Sequence, residues 1–291
     1  MSQAEADSVG SGSGIPVRPG ARCDLHMHST RSDGRFAADD VLKQAAARGL
    51  DWIALTDHDL PTPFTPGPQQ VGDRTISVLV GAEVSASIEG AEHHLLVYFP
   101  GQVPERFRAF CADQCRARAT RWDDAVARLG MPELGPADED ARAGVRAVTR
   151  YHLAAAMVEA GRCGSVREAF QGWLGDGKGL VPCRFPTMEA VIAEARACGG
   201  VTSWAHPMRG AVEKHLARLV AAGLEGLEGY RPLLSSGDRQ FYRKAARKHG
   251  LFLTGGSDWH GWSDGELGLW WVERRELDAF VAALEAAVTP S

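Results

Sequence analysis

The sequence predicts an α/β protein with a mostly parallel sheet, its strands suited to a barrel and interrupted by a helical insertion. Three observations carry this reading. Short β-branched or aromatic runs alternate with segments of helical spacing, as in strand–helix repeats. Several runs end in imidazole or carboxylate residues, as strands do where they feed an active-site rim. The interval from about Gln102 to Leu180 breaks the alternation and reads mainly as helix.

Seven runs read as strands, each bounded by Gly, Pro or polar residues: Arg22 to His28, Trp52 to Thr56, Ile76 to Val84, His94 to Phe99, Gly200 to His206, Gly223 to Tyr230 and Leu251 to His260. Helical spacing marks Ala37 to Arg48, Thr187 to Cys198, Glu213 to Ala222 and Asp238 to His249. Each stops before a glycine, the residue that most easily takes the left-handed turn ending a helix. Within the insertion, Pro104 to Leu129 and Arg150 to Ala160 are helical, and Gly130 to Gly144 is loop-like. The expected organisation is a flexible tail over residues 1–20, a first barrel part over 21–101, a helical cap over 102–185 and a second barrel part over 186–291.

Composition narrows the function classes. Of 291 residues, 44% are hydrophobic and 24% charged, enough apolar content for a core. The net charge of −5 lacks the basic excess that replaces counterions along a polynucleotide, so no long nucleic acid is expected as partner. A short phosphorylated substrate needs only local cations. No apolar run reaches membrane-spanning length and the tail lacks a signal-peptide core, so a cytoplasmic protein without a membrane partner is expected. The six cysteines form no C-x-x-C pair and read as reduced thiols. No feature points to a partner protein. Trp270 and Trp271 read as core packing or an interface.

The histidines are not scattered. Side chains two apart on a strand share a face, so His26 and His28 can reach one ion. Asp33 precedes Gly34, which permits a tight turn bringing the carboxylate back. Asp57, His58 and Asp59 follow an apolar strand directly, and Glu83, His94, His206, Asp258 and His260 recur at other strand ends. His215 and His249 fall in helices and are set aside, and His94 is preferred over His93. Mixed imidazole and carboxylate ligation suits Mn, Fe or Zn rather than Mg or Ca. Neighbouring divalent ions can ionise a shared water and clamp phosphoryl oxygens, which links such a cluster to phosphoester hydrolysis.

The ordered segments DLHMHSTRSDG, ALTDHD, GAEVSA, HLLVYF, SWAHP and GSDWHG resemble the PHP (polymerase and histidinol phosphatase) family of metal-dependent phosphoesterases, over about Cys23 to Gly261. The resemblance implies a distorted (β/α)7 barrel with three divalent metals at one rim. It implies His26, His28, Glu83 and Asp258 as ligands of the first, Glu83, His94 and His206 of the second, and Asp33, His58 and His260 of the third. Asp33, His58, Glu83, His206 and Asp258 are then the catalytic set, acting with a metal-bridging hydroxide. Asp57 and Asp59 either orient imidazoles or cap their turns.

The stretches TRYHLAAAMVEAG and SVREAFQGWLGDGKGLVP resemble the TrpH-like branch, whose members act on nucleoside 3′,5′-bisphosphates or the 5′ end of short RNA. There Arg150, His152 and Lys178 match positions that hold a substrate phosphate. The chain departs from the branch twice. Tyr151 stands in place of a proline, and the histidine expected after Tyr230 is missing from Arg231-Pro232-Leu233-Leu234. The implied activity is hydrolysis of a small nucleotide phosphate ester. Alternatives are a histidinol-phosphate-type phosphatase acting on another small metabolite, and a catalytically silent nucleotide-binding module.

Overall fold

A computed structural model describes residues 15–16, 18–175, 178–262 and 265–288. The expected tail therefore lies largely outside the described residues. Where the description begins, Ile15 is already buried against the core.

The strands are β1 (Arg22–Met27), β2 (Trp52–Leu55), β3 (Gly67–Val71), β4 (Arg74–Val78), β5 (Val80–Ile88), β6 (Ala91–Phe99), β7 (Val201–Trp204), β8 (Gly226–Tyr230), β9 (Phe252–Gly255) and β10 (Val272–Glu273). They form two five-stranded sheets, ordered β10-β1-β2-β4-β3 and β5-β6-β7-β8-β9. This differs from the expected parallel barrel in two ways. Pairing is mixed: β1–β2, β2–β4, β7–β8 and β8–β9 are parallel, whereas β3–β4, β5–β6, β6–β7 and β1–β10 are antiparallel. The reason at β5–β6 is local. Only Glu89 and Gly90 separate the strands, both at positive φ (51° and 83°), a two-residue hairpin turn that leaves no room for a crossover helix.

The second difference is that no barrel closes among the described residues. The run Ile76 to Val84 breaks at Leu79, so that β4 stays in the first sheet and β5 begins the second. The sheets meet along two seams. At one, His58 bridges Glu83 and the Leu79 amide donates to Ile53 O at 2.8 Å. At the other, Met27 bridges Trp259, the Asp258 amide donates to His26 O at 2.8 Å and the His28 amide to Trp259 O at 2.9 Å. Both seams carry residues of the ligand-type cluster.

Helices α1 (Ala38–Ala47), α6 (Met188–Ala197), α7 (Arg209–Ala221), α8 (Ser236–His249) and α9 (Asp278–Val288) bury apolar faces, with α6 and α7 against the second sheet in one cluster. Between β6 and α6 lie α2 (Glu105–Leu129), α3 (Glu139–Ala143), α4 (Arg150–Glu159) and α5 (Val166–Ala169). Gly130 to Gly144, expected as loop, contains α3, whose start is capped by the Asp138 side chain accepting from the Ala141 amide. Helices α2, α4 and α5 share a separate small core including Ala125, Leu153, Met157 and Ala169, and α3 packs in another with Ala119 and Ala141. Their ties to the strand-end loops include two near the start of α4. The Ala147 amide donates to Arg31 O at 3.0 Å, and the Tyr151 ring lies 5.0 Å from Trp262. Sequence spacing missed β3, β10 and α9, and all six cysteines are free thiols. Among the described residues no helix is long and apolar enough to cross a membrane.

Candidate metal centre

Glu83 lies in the middle of the strand-end residues. It is completely buried in β5, a carboxylate that the fold must surround with cations or dipoles. Four imidazoles approach it: His206 Nε2 at 2.8 Å from Oε1, His58 Nδ1 at 3.0 Å from Oε2, and His94 Nδ1 and His26 Nε2 at 3.2 and 3.3 Å from Oε1. His28 Nε2 stands 3.4 Å from Oε2 and 3.2 Å from Asp258 Oδ1. Asp33 lies 3.6 Å from His58 and 3.4 Å from His260. The nine residues singled out as metal ligands are therefore collected in one place.

Three groups place ligand atoms within 4.8 Å of one another: His26, His28, Glu83 and Asp258; His28, Asp33, His58 and His260; and His58, Glu83 and His94. The first is the set expected for one metal. The others share His28 and His58 more widely than the resemblance implied, and His206 stands beside the third through Glu83 and His94, 3.3 Å away.

Local backbone makes this convergence possible. Gly34 lies against the chain after β1, where a Cβ would come 2.5 Å from the His28 carbonyl carbon, so the turn folds Asp33 back onto His28. At Gly256 a Cβ would meet His26 Cβ at 2.2 Å, and its absence lets the chain after β9 cross β1. Asp59, His206 and Asp258 all have positive φ (51°, 27° and 55°), uncommon for non-glycine residues and concentrated here at the cluster.

Second partners hold the imidazoles. His26 Nδ1 is 2.9 Å from Glu228 Oε1, and Glu228 Oε2 accepts from the His206 amide at 2.6 Å. His94 Nε2 is 3.4 Å from Glu92, which also meets Arg121 at 2.6 Å and Arg150 at 3.4 Å. Asp57 accepts from the Ser29 amide and hydroxyl, both at 2.7 Å, and from the Ser32 hydroxyl, which reaches His28 Nδ1 at 3.4 Å. Asp59 accepts from the Ser85 amide at 2.8 Å and from Arg118 Nε at 2.5 Å.

Sequence reading missed Glu228, Glu92, Arg118 and Arg121. A signal existed for Glu228, a carboxylate within the apolar run Gly223 to Tyr230. None existed for the arginines, because helical spacing alone does not tell which α2 residues turn inward.

Burial and charge act against each other throughout the cluster. Burial would raise the Glu83 carboxyl, but His58, His94 and His26 hold it well below the usual carboxylate range. Asp33 is lowered in the same way by His58 and His260 against burial. Burial would lower His94, yet Glu83 and Glu92 push it up to about 10, and Asp33 does the same for His260, also to about 10. His28 goes the other way, down to about 4, through burial and the neighbouring His260.

Five buried atoms at the centre, His26 Nε2, His28 Nε2, Asp33 Oδ1, His58 Nδ1 and Glu83 Oε2, have no hydrogen-bond partner among the described residues. They lie close together yet are not aimed at one another. Orphaned buried donors and acceptors are rare, and this arrangement suits atoms that share a cation. The mixed nitrogen and oxygen set fits a divalent transition ion.

The three residues expected to hold phosphate fare differently. Arg150 is half-buried beside Glu92, with Nη1 3.3 Å from Leu174 O. His152 accepts from the Thr149 amide at 3.0 Å and closes the start of α4, and burial pushes it down to about 4. Lys178 is exposed, and among the described residues nothing ties its side chain to the cluster. His93 points away from the cluster, edge-on to Trp204 at 5.7 Å, and His215 and His249 lie in α7 and α8. Trp270 packs against the core, while the Arg22 guanidinium covers the ring of Trp271 at 3.7 Å. A cavity of about 590 Å³ adjoins the cluster, lined by His206 and Asp258 together with Arg231, Leu233, Leu269 and Trp270.

Comparison with known proteins agrees with this geometry. Residues 24–112 match the PHP domain. The chain is 31% identical over 247 residues to the 5′-3′ exoribonuclease Rnm of Escherichia coli (strain K12), covering 81% of this chain and 84% of that one. It is 29% identical over 268 residues to the 3′,5′-nucleoside bisphosphate phosphatase of Chromobacterium violaceum, covering 84% and 89%. A solved structure from Bifidobacterium adolescentis, described as a candidate metal-dependent phosphoesterase, superposes with a TM-score of 0.70 at 26% identity over 91% and 97% of the two chains.

Proposed function

Because the chain belongs to the PHP family of metal-dependent phosphoesterases, we propose that it hydrolyses a phosphate ester of a small nucleotide. The substrate is a nucleoside 3′,5′-bisphosphate or a short oligonucleotide carrying a 5′-phosphate, in keeping with relatives named a 5′-3′ exoribonuclease and a 3′,5′-nucleoside bisphosphate phosphatase. The carrying observation is the convergence of nine imidazole and carboxylate side chains around Glu83, with five buried atoms lacking partners. We read the two sheets as halves of one distorted barrel and residues 102–185 as its cap. We place the enzyme in the cytoplasm, in keeping with its free thiols.

His26, His28, Glu83 and Asp258 would hold one ion, Glu83, His94 and His206 a second, and Asp33, His58 and His260 a third, with Mn, Fe or Zn suiting the donors. Bound divalent ions supply a nucleophile from water near neutral pH and neutralise phosphoryl charge. The chain's own contribution is alignment. Glu228 fixes His26 and the His206 backbone, Glu92 fixes His94, and Asp57 fixes His28 through Ser32. Such partners set the orientation and basicity of each ligating ring. Arg150 is the cation best placed for a second phosphate, beside the cluster at Glu92. His152 acts through α4, keeping Arg150 at the helix start. Lys178 would have to reach the phosphate from its exposed loop.

The test is phosphate release by Mn²⁺-loaded protein from adenosine 3′,5′-bisphosphate and from a 5′-phosphorylated short RNA. Turnover of at least one is expected, falling about a thousandfold or more in Glu83→Ala. Full activity in Glu83→Ala would refute the assignment. Turnover of histidinol phosphate in preference to both would favour the metabolite-phosphatase alternative.

A further inference from the structure

Strand β6 carries Glu92 two residues before His94, so both side chains project from one face of the strand, while His93 turns to Trp204. The Glu92 side chain is 7% exposed and serves two kinds of partner. Its Oε1 stands 3.4 Å from His94 Nε2, whereas the other ring nitrogen, Nδ1, faces Glu83 at 3.2 Å. Its Oε2 accepts from Arg121 Nη2 at 2.6 Å and lies 3.4 Å from Arg150 Nη2. One carboxylate thus stands between a proposed metal ligand and the arginine proposed to hold a phosphate.

The two arginines hold this carboxylate differently. Arg121 is fixed: its side chain is 6% exposed, and the buried ring of Phe185 lies 5.0 Å from its guanidinium. Arg150, at the first turn of α4, is 22% exposed and makes the longer contact. The free space among Arg118, Arg121, Thr149 and Arg150 is about 10 Å³, room for about one water. A phosphate cannot settle among these side chains as they stand, and binding it means drawing Arg150 away from Glu92. The carboxylate then has one cation fewer and accepts more strongly from His94 Nε2–H. A carboxylate behind a ligating imidazole fixes the tautomer and raises the basicity of the ring, so Nδ1 becomes the better donor to an ion.

We propose that Glu92 couples the phosphate to the metal: a phosphate that takes Arg150 tightens the ion held by His94, and that ion tightens the phosphate by the same factor. Glu92 is a positioning residue in this scheme and touches neither ligand. The site without substrate holds this ion least firmly, and the centre is completed as substrate arrives. The inference rests on the phosphoesterase reading above and adds how phosphate and metal control one another within it.

The experiment uses the full chain and two probes, Mn²⁺ and adenosine 5′-phosphate, which offers one phosphate to Arg150 and none at its 3′ position. Free Mn²⁺ is read by electron paramagnetic resonance in titrations with and without saturating nucleotide. The nucleotide's affinity is read by calorimetry with and without Mn²⁺. Wild type, Glu92→Gln and Arg150→Gln are compared, and unfolding midpoints check that each folds. In wild type the nucleotide is expected to tighten the weakest-bound Mn²⁺ about tenfold. In Glu92→Gln that factor is expected to fall below about threefold, although Mn²⁺ and nucleotide each still bind. A purely structural Glu92 would weaken Mn²⁺ equally with and without nucleotide. A factor unchanged in Glu92→Gln, or no tightening in wild type, would overturn the proposal. Should Glu92→Gln not fold, Arg150→Gln decides, because it leaves the Glu92–Arg121 pair intact: loss of the factor there would support the proposal, and its retention would overturn it. The expected coupling in protein that releases no phosphate from adenosine 3′,5′-bisphosphate or 5′-phosphorylated RNA would uphold the linkage and refute the phosphoesterase reading. Failure to bind Mn²⁺ at all would overturn both.

Discussion

At the scale of single residues, the cluster depends on carboxylates that stand behind its imidazoles. Glu228 joins His26 to the backbone of His206 with two bonds, 2.9 and 2.6 Å long, so one side chain aligns two groups. Glu228→Gln is expected to keep the fold and lower metal affinity or turnover by about 10- to 100-fold. Unchanged metal affinity and kcat would show that His26 is held by its strand alone.

The raised imidazoles give a second expectation. In the metal-free protein His94 and His260 titrate at about 10, so both carry a proton at neutral pH. A ring must lose that proton to ligate, so metal binding releases protons and tightens as pH rises from neutral toward about 10. Calorimetry in buffers of different ionisation enthalpy reads the released protons directly. Zero release would contradict the placement of metal on these rings. The nine residues proposed as ligands were legible in the sequence, because they stand in or beside short apolar runs. Their shared use of His28 and His58 was not, since it depends on how two seams approach one another.

At the scale of elements, α2 reaches into the site through two arginines, Arg121 at Glu92 and, more deeply buried, Arg118. Arg118 is 2% exposed and bonds Asp59 Oδ2, the Ser85 hydroxyl and Val148 O. It thereby joins α2, the strained turn after β2, strand β5 and the segment before α4. His58 and Asp59 are adjacent, so loosening this turn moves a member of two metal groups. Removing one partner of a buried ion pair leaves the other charge uncompensated. Arg118→Met is expected to destabilise the protein by about 3–5 kcal/mol in denaturant unfolding, with Arg118→Lys recovering part of it. A loss below about 0.5 kcal/mol would mean that Asp59 finds water or another cation.

The main helices and most strands were readable from periodicity and glycine stops. The hairpin turn at Glu89 and Gly90 and the break at Leu79 were not. Short apolar runs look alike in parallel and antiparallel pairing, and only the connection length decides.

At the scale of the whole molecule, two open sheets meet at seams that both carry the cluster, and a helical segment with its own small core stands beside it. This explains why the nine residues singled out in the sequence gather in one place although a barrel with a mostly parallel sheet was expected. They sit in or beside strand ends, and strand ends converge whether or not the sheet closes. It also explains why the residues proposed to hold the substrate's phosphate were the least legible. Arg150 opens α4 at the end of a connection and Lys178 lies on one, where a loop's path and not a repeating pattern decides what faces the site.

The most direct test of metal-dependent hydrolysis is to strip the purified protein with a chelator, count residual metal by elemental analysis, and measure phosphate release before and after Mn²⁺ is restored. The account expects activity to vanish on stripping and to return as about three ions per chain are taken up. Full turnover by protein holding less than about one ion per chain would contradict it.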